Sequence, residues 1–170
     1  MALFVADHGK KVAVEHGLER SKRWPSVARN FVKANPHCAA CEKSTTWLGI
    51  FAHQVHHKVI PFHLAVLLGR PDLELDFRNL VTLCQVPTRQ HHLLLGHLDD
   101  FKSYNPECDA FIKRFFGMSA KDIESNPEWL AAEARRPKTW SNMTESEKKV
   151  LRNKLDAHLP PDPKVLALLA

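Results

Sequence analysis

The residues able to do chemistry crowd into one stretch, from Cys38 to His97. It opens on Cys38-Ala39-Ala40-Cys41 and passes through Val55-His56-His57. It continues with Arg78-Asn79-Leu80-Val81-Thr82-Leu83-Cys84 and closes on His91-His92-Leu93-Leu94-Leu95-Gly96-His97. A CxxC turn puts two thiolates on one side of a knuckle, about the span a tetrahedral zinc ion needs. A closed site requires two more ligands. Cys84 follows a short apolar segment and His91 comes seven residues later, and three Cys with one His is a common structural zinc set. A redox CxxC would instead open a helix within a thioredoxin-like pattern, and none is visible. Cys38, Cys41, Cys84 and His91 are therefore expected to hold a structural Zn2+, and Cys108 to be an ordinary half-buried thiol.

The histidines carry a second signal. There are eleven, concentrated between His53 and His97. Neighbours on a strand point to opposite faces. His56 and His57 can thus serve one site only where the strand bends or the site wraps its end, and Pro61 implies a short strand. His56, His57, His92 and His97 all flank short expected elements, with Asn79 between them. A solvated surface rarely gives that arrangement.

The order His56-His57, Asn79, His92, with a flanking CxxC and Cys84, resembles the HNH endonucleases over residues 36–106. The resemblance implies a small ββα-metal core within an α+β fold, two strands and a helix clasping a divalent ion. It implies that His57 is the general base and that Asn79 holds the loop or the imidazole in place. It implies that His56 and His92, with His97 as a possible third, hold a catalytic cation, whether Mg2+, Mn2+, Ni2+ or Zn2+. The four knuckle residues then form the structural zinc knot carried by many members. Two departures leave alternatives open. Lys58-Val59-Ile60 separates His57 from Pro61, one residue more than the usual His-His-x-x-Pro, so His56 or His57 could be the base. His91 stands where a second cysteine is common, so His91 and His92 could exchange roles.

The chemistry agrees. Cleaving a phosphodiester needs an activated water, stabilisation of charge on the phosphoryl oxygens, and help for the leaving oxygen. A neutral imidazole can act as the base and one divalent ion can stabilise the charge. The formal net charge of +5 suggests an anionic partner, here DNA. Arg23 and Arg29, in a basic stretch from Arg20 to Lys33, and Lys58 are candidate backbone contacts that read no sequence. A non-catalytic zinc-stabilised nucleic-acid-binding module, or a zinc-dependent interaction protein, is the rival class.

These residues need elements to position them. A basic helix is expected in 19–33, capped by Ser21 or Ser26, with Val27, Phe31 and Val32 on one face; it belongs to an N-terminal segment, 1–35. Strands are expected around Thr45–Val55 and over Val55–Ile60, a short helix over Phe62–Leu68, a buried segment over Leu80–Cys84 and a helix over His91–Leu98. Beyond residue 106 a helical extension, 107–170, contains helices at 109–116, 119–124, 127–136 and 144–158, with Thr144 and Glu147 suited to a capping box. Trp129 and Trp140 read as packing residues and the last seven residues as an apolar tail. Residues 1–19 carry no strong pattern. No stretch is long and apolar enough for a membrane span, and the N-terminus lacks an apolar leader, so an intracellular, cytoplasmic setting is expected. The sequence sets no oligomeric state.

Overall fold

The computed structural model describes residues 20–43, 46–47, 50–51, 53–137 and 143–169. The readings of residues 1–19 and of Trp140 lie outside them. Helices combine with two small antiparallel sheets of two strands each.

Helix α1, Trp24–Ala34, buries Trp24, Val27, Ala28 and Phe31, an i, i+3, i+4, i+7 stripe. Arg23, Arg29 and Lys33 stay exposed. Val32 is only half-buried; Trp24 and Ala28 complete the apolar face instead. Neither serine caps the helix: Arg23 occupies the N-cap without a side-chain bond. Ser21 Oγ accepts the Arg23 N–H one residue earlier, and Ser26 Oγ donates back to the Arg23 carbonyl. At the other end Asn35 Nδ2 donates to the Phe31 carbonyl, and Pro36 prevents continuation.

Strands β1, Thr46–Trp47, and β2, Ile50–Phe51, form a two-rung ladder. The central pair is β3, His53–His57, against β4, Leu80–Cys84, with His53 opposite Cys84 and His57 opposite Leu80. The strand expected at 55–60 is thus shifted. The reason is Asn79: its Oδ1 accepts the N–H groups of both Val59 and Ile60, so a side chain replaces a strand partner there. Helix α2, Phe62–Leu67, follows Pro61. All five residues of β4 are buried. The segment read as a helix over 91–98 is a π-helix, His92–Gly96.

Three apolar clusters hold these parts. Val81, Leu83, Leu94 and Leu95 pack with Phe111 of α3, Cys108–Arg114, with Ile123 of α4, Ala120–Glu124, and with Trp129 of α5, Pro127–Ala134. The expectation that Trp129 packs is met: its indole N–H donates to the Leu94 carbonyl at 2.9 Å. Leu75 and Leu80 seat α1. Ile60, Leu64 and Leu73 seat Leu155 and Leu159 from α6, Glu145–His158, and its end. Thr144 and Glu147 form the capping box at its start, and Ser119 with Asp122 forms another at α4. A further turn of helix, α7, Pro163–Leu166, started by Asp162, leads into the apolar tail.

Two arginines tie the turn before β4 to the end of α6. Arg70 donates to both oxygens of Asp72, at 3.0 and 2.7 Å, to the Leu159 carbonyl at 3.1 Å and to Asp156. Arg78 pairs with Asp76 and donates to the Pro160 carbonyl. The Asp72 side chain is 2% exposed, so removing its partner leaves a buried charge uncompensated. Arg70→Met is expected to cost about 3–5 kcal/mol in urea unfolding. Asp156→Asn, whose side chain is 39% exposed, should cost a small fraction of that.

Candidate metal centres

Cys38, Cys41, Cys84 and His91 converge, their ligand atoms all within 4.8 Å of one another. Cys38, Cys84 and His91 are fully buried and Cys41 is half-buried. No disulfide forms among the described cysteines. The knuckle is local chemistry: Cys41 N–H and Glu42 N–H both donate to the Cys38 carbonyl, and Glu42 takes a left-handed φ of 53° to finish the turn. Cys84 arrives at the end of β4, and its N–H donates to Cys38 Sγ at 3.4 Å. His91 Nε2–H donates to the Met118 carbonyl at 2.9 Å, which turns Nδ1 to the sulfurs, 3.4 Å from Cys38 and 3.3 Å from Cys84.

The electrostatics call for a cation. Hydrogen bonds from Cys41 and Cys84 push Cys38 up, while those from Cys38 and Cys84 pull Cys41 down. Burial would lower His91, but hydrogen bonds with Cys41 and Cys84 outweigh it and push the imidazole up to about 10. Sulfur charge therefore draws a positive species to this spot, a proton on His91 or a metal ion. Zn–S bonds of about 2.3 Å and Zn–N bonds of about 2.0 Å fit inside the observed cluster. This buried set could hold a structural metal ion such as zinc. Cys108 lies apart and is fully buried rather than half-buried, its thiol pushed up by desolvation.

A second cluster joins His56, His92 and His97, with ligand atoms again within 4.8 Å. Ring centroids lie 5.3 Å apart for His56 and His92, 4.7 Å for His56 and His97, and 4.8 Å for His92 and His97. The π-helix is what brings the last two together. Five residues of α-helix rotate by about 500°, leaving the side chains roughly 140° apart. The wider i→i+5 winding returns residue 97 to the side of residue 92. Their tautomers are set from outside the cluster. His92 Nδ1–H donates to Gln85 Oε1 and His97 Nδ1–H to the Ser103 carbonyl, both at 2.8 Å, which leaves the lone pair of each ring on Nε2. His56 Nε2 is buried without a hydrogen-bond partner, a costly state for an imidazole nitrogen unless something coordinates it. Burial, then the nearby His97, His92 and His57, hold His56 well below the ordinary imidazole range, so it is a neutral imidazole that could serve as a ligand. Three neutral imidazoles suit a divalent transition metal.

His57 lies on the neighbouring strand position, and its environment differs. Its Nε2–H donates to the Glu74 carbonyl at 3.1 Å, which puts the lone pair on Nδ1. Trp24 stacks on the ring at 4.8 Å. Burial first, then the charge of Arg20, push His57 down to about 3. Asn79 Nδ2 donates to the carbonyls of Ile60 and Leu73, both at 2.9 Å, so the amide holds the loop after β3 and does not touch the His57 ring. Arg23 and Arg29 sit on the wet side of α1, while Lys58 pairs with Asp109 at 3.2 Å.

Four further residues shape the histidines from outside the expected set. Gly96 had a visible signal, a glycine inside an apolar run between two histidines. A Cβ there would come within 2.8 Å of His56 Cε1, so the π-helix backbone reaches the ring only because residue 96 has no side chain. Gln85, Ser103 and Glu74 had none, since each acts on a histidine through tertiary contact. Comparison with protein-family models, with curated proteins and with solved structures found no match to this chain.

Gly96→Ala should displace the His56 ring and weaken Ni2+ binding at the three-histidine cluster by about 10–100-fold in calorimetry, the scale of an outer-shell change. Zinc content of the Cys3His cluster should be unchanged. Acid provides a second check. Below an unfolded-state pKa of about 6.5 the unfolded chain protonates residue 57 while the folded one does not, down to about pH 3. Stability should therefore fall with pH across that window, by up to about 1.4 kcal/mol per unit from this group. His57→Phe, which preserves the ring against Trp24, should flatten the slope of denaturation midpoint against pH.

Proposed function

We propose that this chain is a metal-dependent endonuclease of the HNH type, hydrolysing DNA phosphodiester bonds, with β3, β4 and the π-helix as its ββα-metal core. One observation carries the reading. Three imidazoles have ligand atoms within 4.8 Å of one another, and one of them, His56, stands next in sequence to a fourth that is held differently, with its Nε2–H on a carbonyl. Ligands and base are thus separated by one peptide bond. β3 ends at His57, so the alternation of faces does not carry the pair apart along a continuing strand.

A divalent cation held by His56, His92 and His97 would neutralise charge on the phosphoryl oxygens and on the leaving oxygen. The other steps belong to the chain. His57 is neutral at ordinary pH and takes a proton from the attacking water at Nδ1. Its Nε2–H stays on the Glu74 carbonyl, and that bond strengthens as the ring becomes cationic. A pKa near 3 makes His57 a weak base; burial is the main cause and the charge of Arg20, itself paired with Glu74 at 3.4 Å, adds to it, so a phosphate beside Arg20 would offset part of that charge and raise the base strength when substrate is present. Asn79 fixes the loop that follows the base. Arg23 and Arg29 present exposed guanidinium groups for the DNA backbone, and Lys58 can exchange its half-exposed partner Asp109 for phosphate.

The test is nicking of supercoiled plasmid with added Mg2+, Mn2+, Ni2+ or Zn2+. Wild type should cut with at least one of them, and His57→Ala should lose at least about 100-fold in rate with its metal content intact. Binding of DNA with no cutting under any metal would instead favour a zinc-stabilised nucleic-acid-binding module.

A further inference from the structure

The two clusters are joined through one short loop. Cys84 and His91 belong to the first cluster; of their direct neighbours, His92 belongs to the second and Gln85 hydrogen-bonds to it. Cys84 Sγ lies 3.3 Å from His91 Nδ1, and one residue further along both arms Gln85 Oε1 accepts from His92 Nδ1 at 2.8 Å. The loop between them is therefore clasped twice at its neck. Inside it, Arg89 N–H and Gln90 N–H both donate to the Val86 carbonyl. Gln90, the residue that turns the chain into His91, is held at a φ of 45°. A side-chain-bearing residue stays in that left-handed region only when its surroundings force it.

A metal ion bound by Cys84 and His91 sets the sulfur-to-nitrogen separation at about 3.5 Å, from bonds of about 2.3 and 2.0 Å at a tetrahedral angle. That is close to the separation observed, so ligation there enforces the neck that the Gln85–His92 bond requires. The Gln85 bond in turn selects the His92 tautomer whose lone pair joins His56 and His97. We propose that the Cys3His cluster and the three-histidine cluster are thermodynamically coupled through this neck, so that filling either one tightens binding at the other. The proposal rests on reading His56, His92 and His97 as a metal site. Coupling is reciprocal by linkage, and each cluster can therefore be used to report on the other.

The test uses the full chain with the Cys3His cluster loaded with zinc, so the protein starts folded. It is dialysed to equilibrium against a series of zinc buffers, with and without saturating Ni2+, and bound zinc and nickel are quantified separately. In wild type, nickel should lower the free zinc needed for half-saturation by about tenfold, within the ordinary range of coupling between sites. His92→Ala should show no such shift. Gln85→Ala should bind both metals with the shift reduced to under about twofold. Stoichiometric nickel binding by wild type with no change in zinc affinity overturns the coupling and leaves the three-histidine site standing. A full shift retained in Gln85→Ala overturns the route through the neck. If zinc-loaded wild type takes up no nickel, the three-histidine site itself is lost, and the coupling with it.

Discussion

Asn79 spends all the hydrogen-bonding capacity of its amide on backbone. Its oxygen takes the N–H groups of Val59 and Ile60, and its nitrogen reaches the carbonyls of Ile60 and Leu73. The side chain is fully buried, and the three of these bonds that are themselves buried, to Ile60 N–H and to the Ile60 and Leu73 carbonyls, satisfy groups that would each cost about 1–3 kcal/mol if left unpaired. That single residue ends β3 at His57, starts β4 at Leu80, and holds the turn at Leu73 whose next residue, Glu74, meets the His57 ring. Each of the two clusters takes one of its members from those two strands. His56 and His57 leave the end of one, Cys84 and Gln85 the end of the other.

In the three-histidine cluster His56 is kept neutral by burial. The His56 imidazole, removed from water, loses affinity for protons, and charge on the nearby His97, His92 and His57 would lower it further. A cluster built this way can offer lone pairs to a cation without first releasing protons. The Cys3His cluster works in the opposite sense. Hydrogen bonds from its neighbours hold Cys41 toward the thiolate, and hydrogen bonds with Cys41 and Cys84 draw His91 toward holding a proton despite its burial. Two clusters a peptide bond apart, at His91 and His92, thus have opposite electrostatic characters: one attracts positive charge, the other repels protons yet presents nitrogen. The division follows from ligand type, thiolate against imidazole, rather than from depth, since both are largely buried.

Local chemistry was the legible part of this sequence. The capping boxes at Ser119 and Thr144 involve partners three residues apart, and both form. The four knuckle residues were legible because CxxC fixes half the set by itself, and one strand and one loop deliver the rest. The limits of β3 were not legible. They depend on a side chain twenty residues away, and no periodicity in Val55–Ile60 reports that Asn79 will occupy its N–H groups. The short helix at Pro163–Leu166 had a local cue, Asp162 before a proline, but three prolines in four residues read more strongly as a stop. Arg70 illustrates the remaining gap. In sequence it is one basic residue in a loop, whereas in the fold it is buried and joins its own turn, at Asp72, to the end of α6, at Asp156 and Leu159.

The π-helix shows how far an apolar run can conceal a site. Leu93, Leu94 and Leu95 are compatible with any helix, so the spacing of His92 and His97 decides nothing until the winding is known. Wound as an α-helix, the segment would send one imidazole toward His56 and the other away, and a two-histidine set would remain. Wound with one residue more per turn, it brings both to His56, provided residue 96 leaves room for the ring. A π-turn sacrifices hydrogen-bond geometry and persists only where something compensates. Here the compensation is at the ends: Gln85 on His92, Ser103 on His97, and the Asn105 N–H and side-chain amide on the Gly96 and Leu95 carbonyls. The irregular winding and the convergence of three imidazoles are therefore one structural fact, held in place by residues that never enter the cluster.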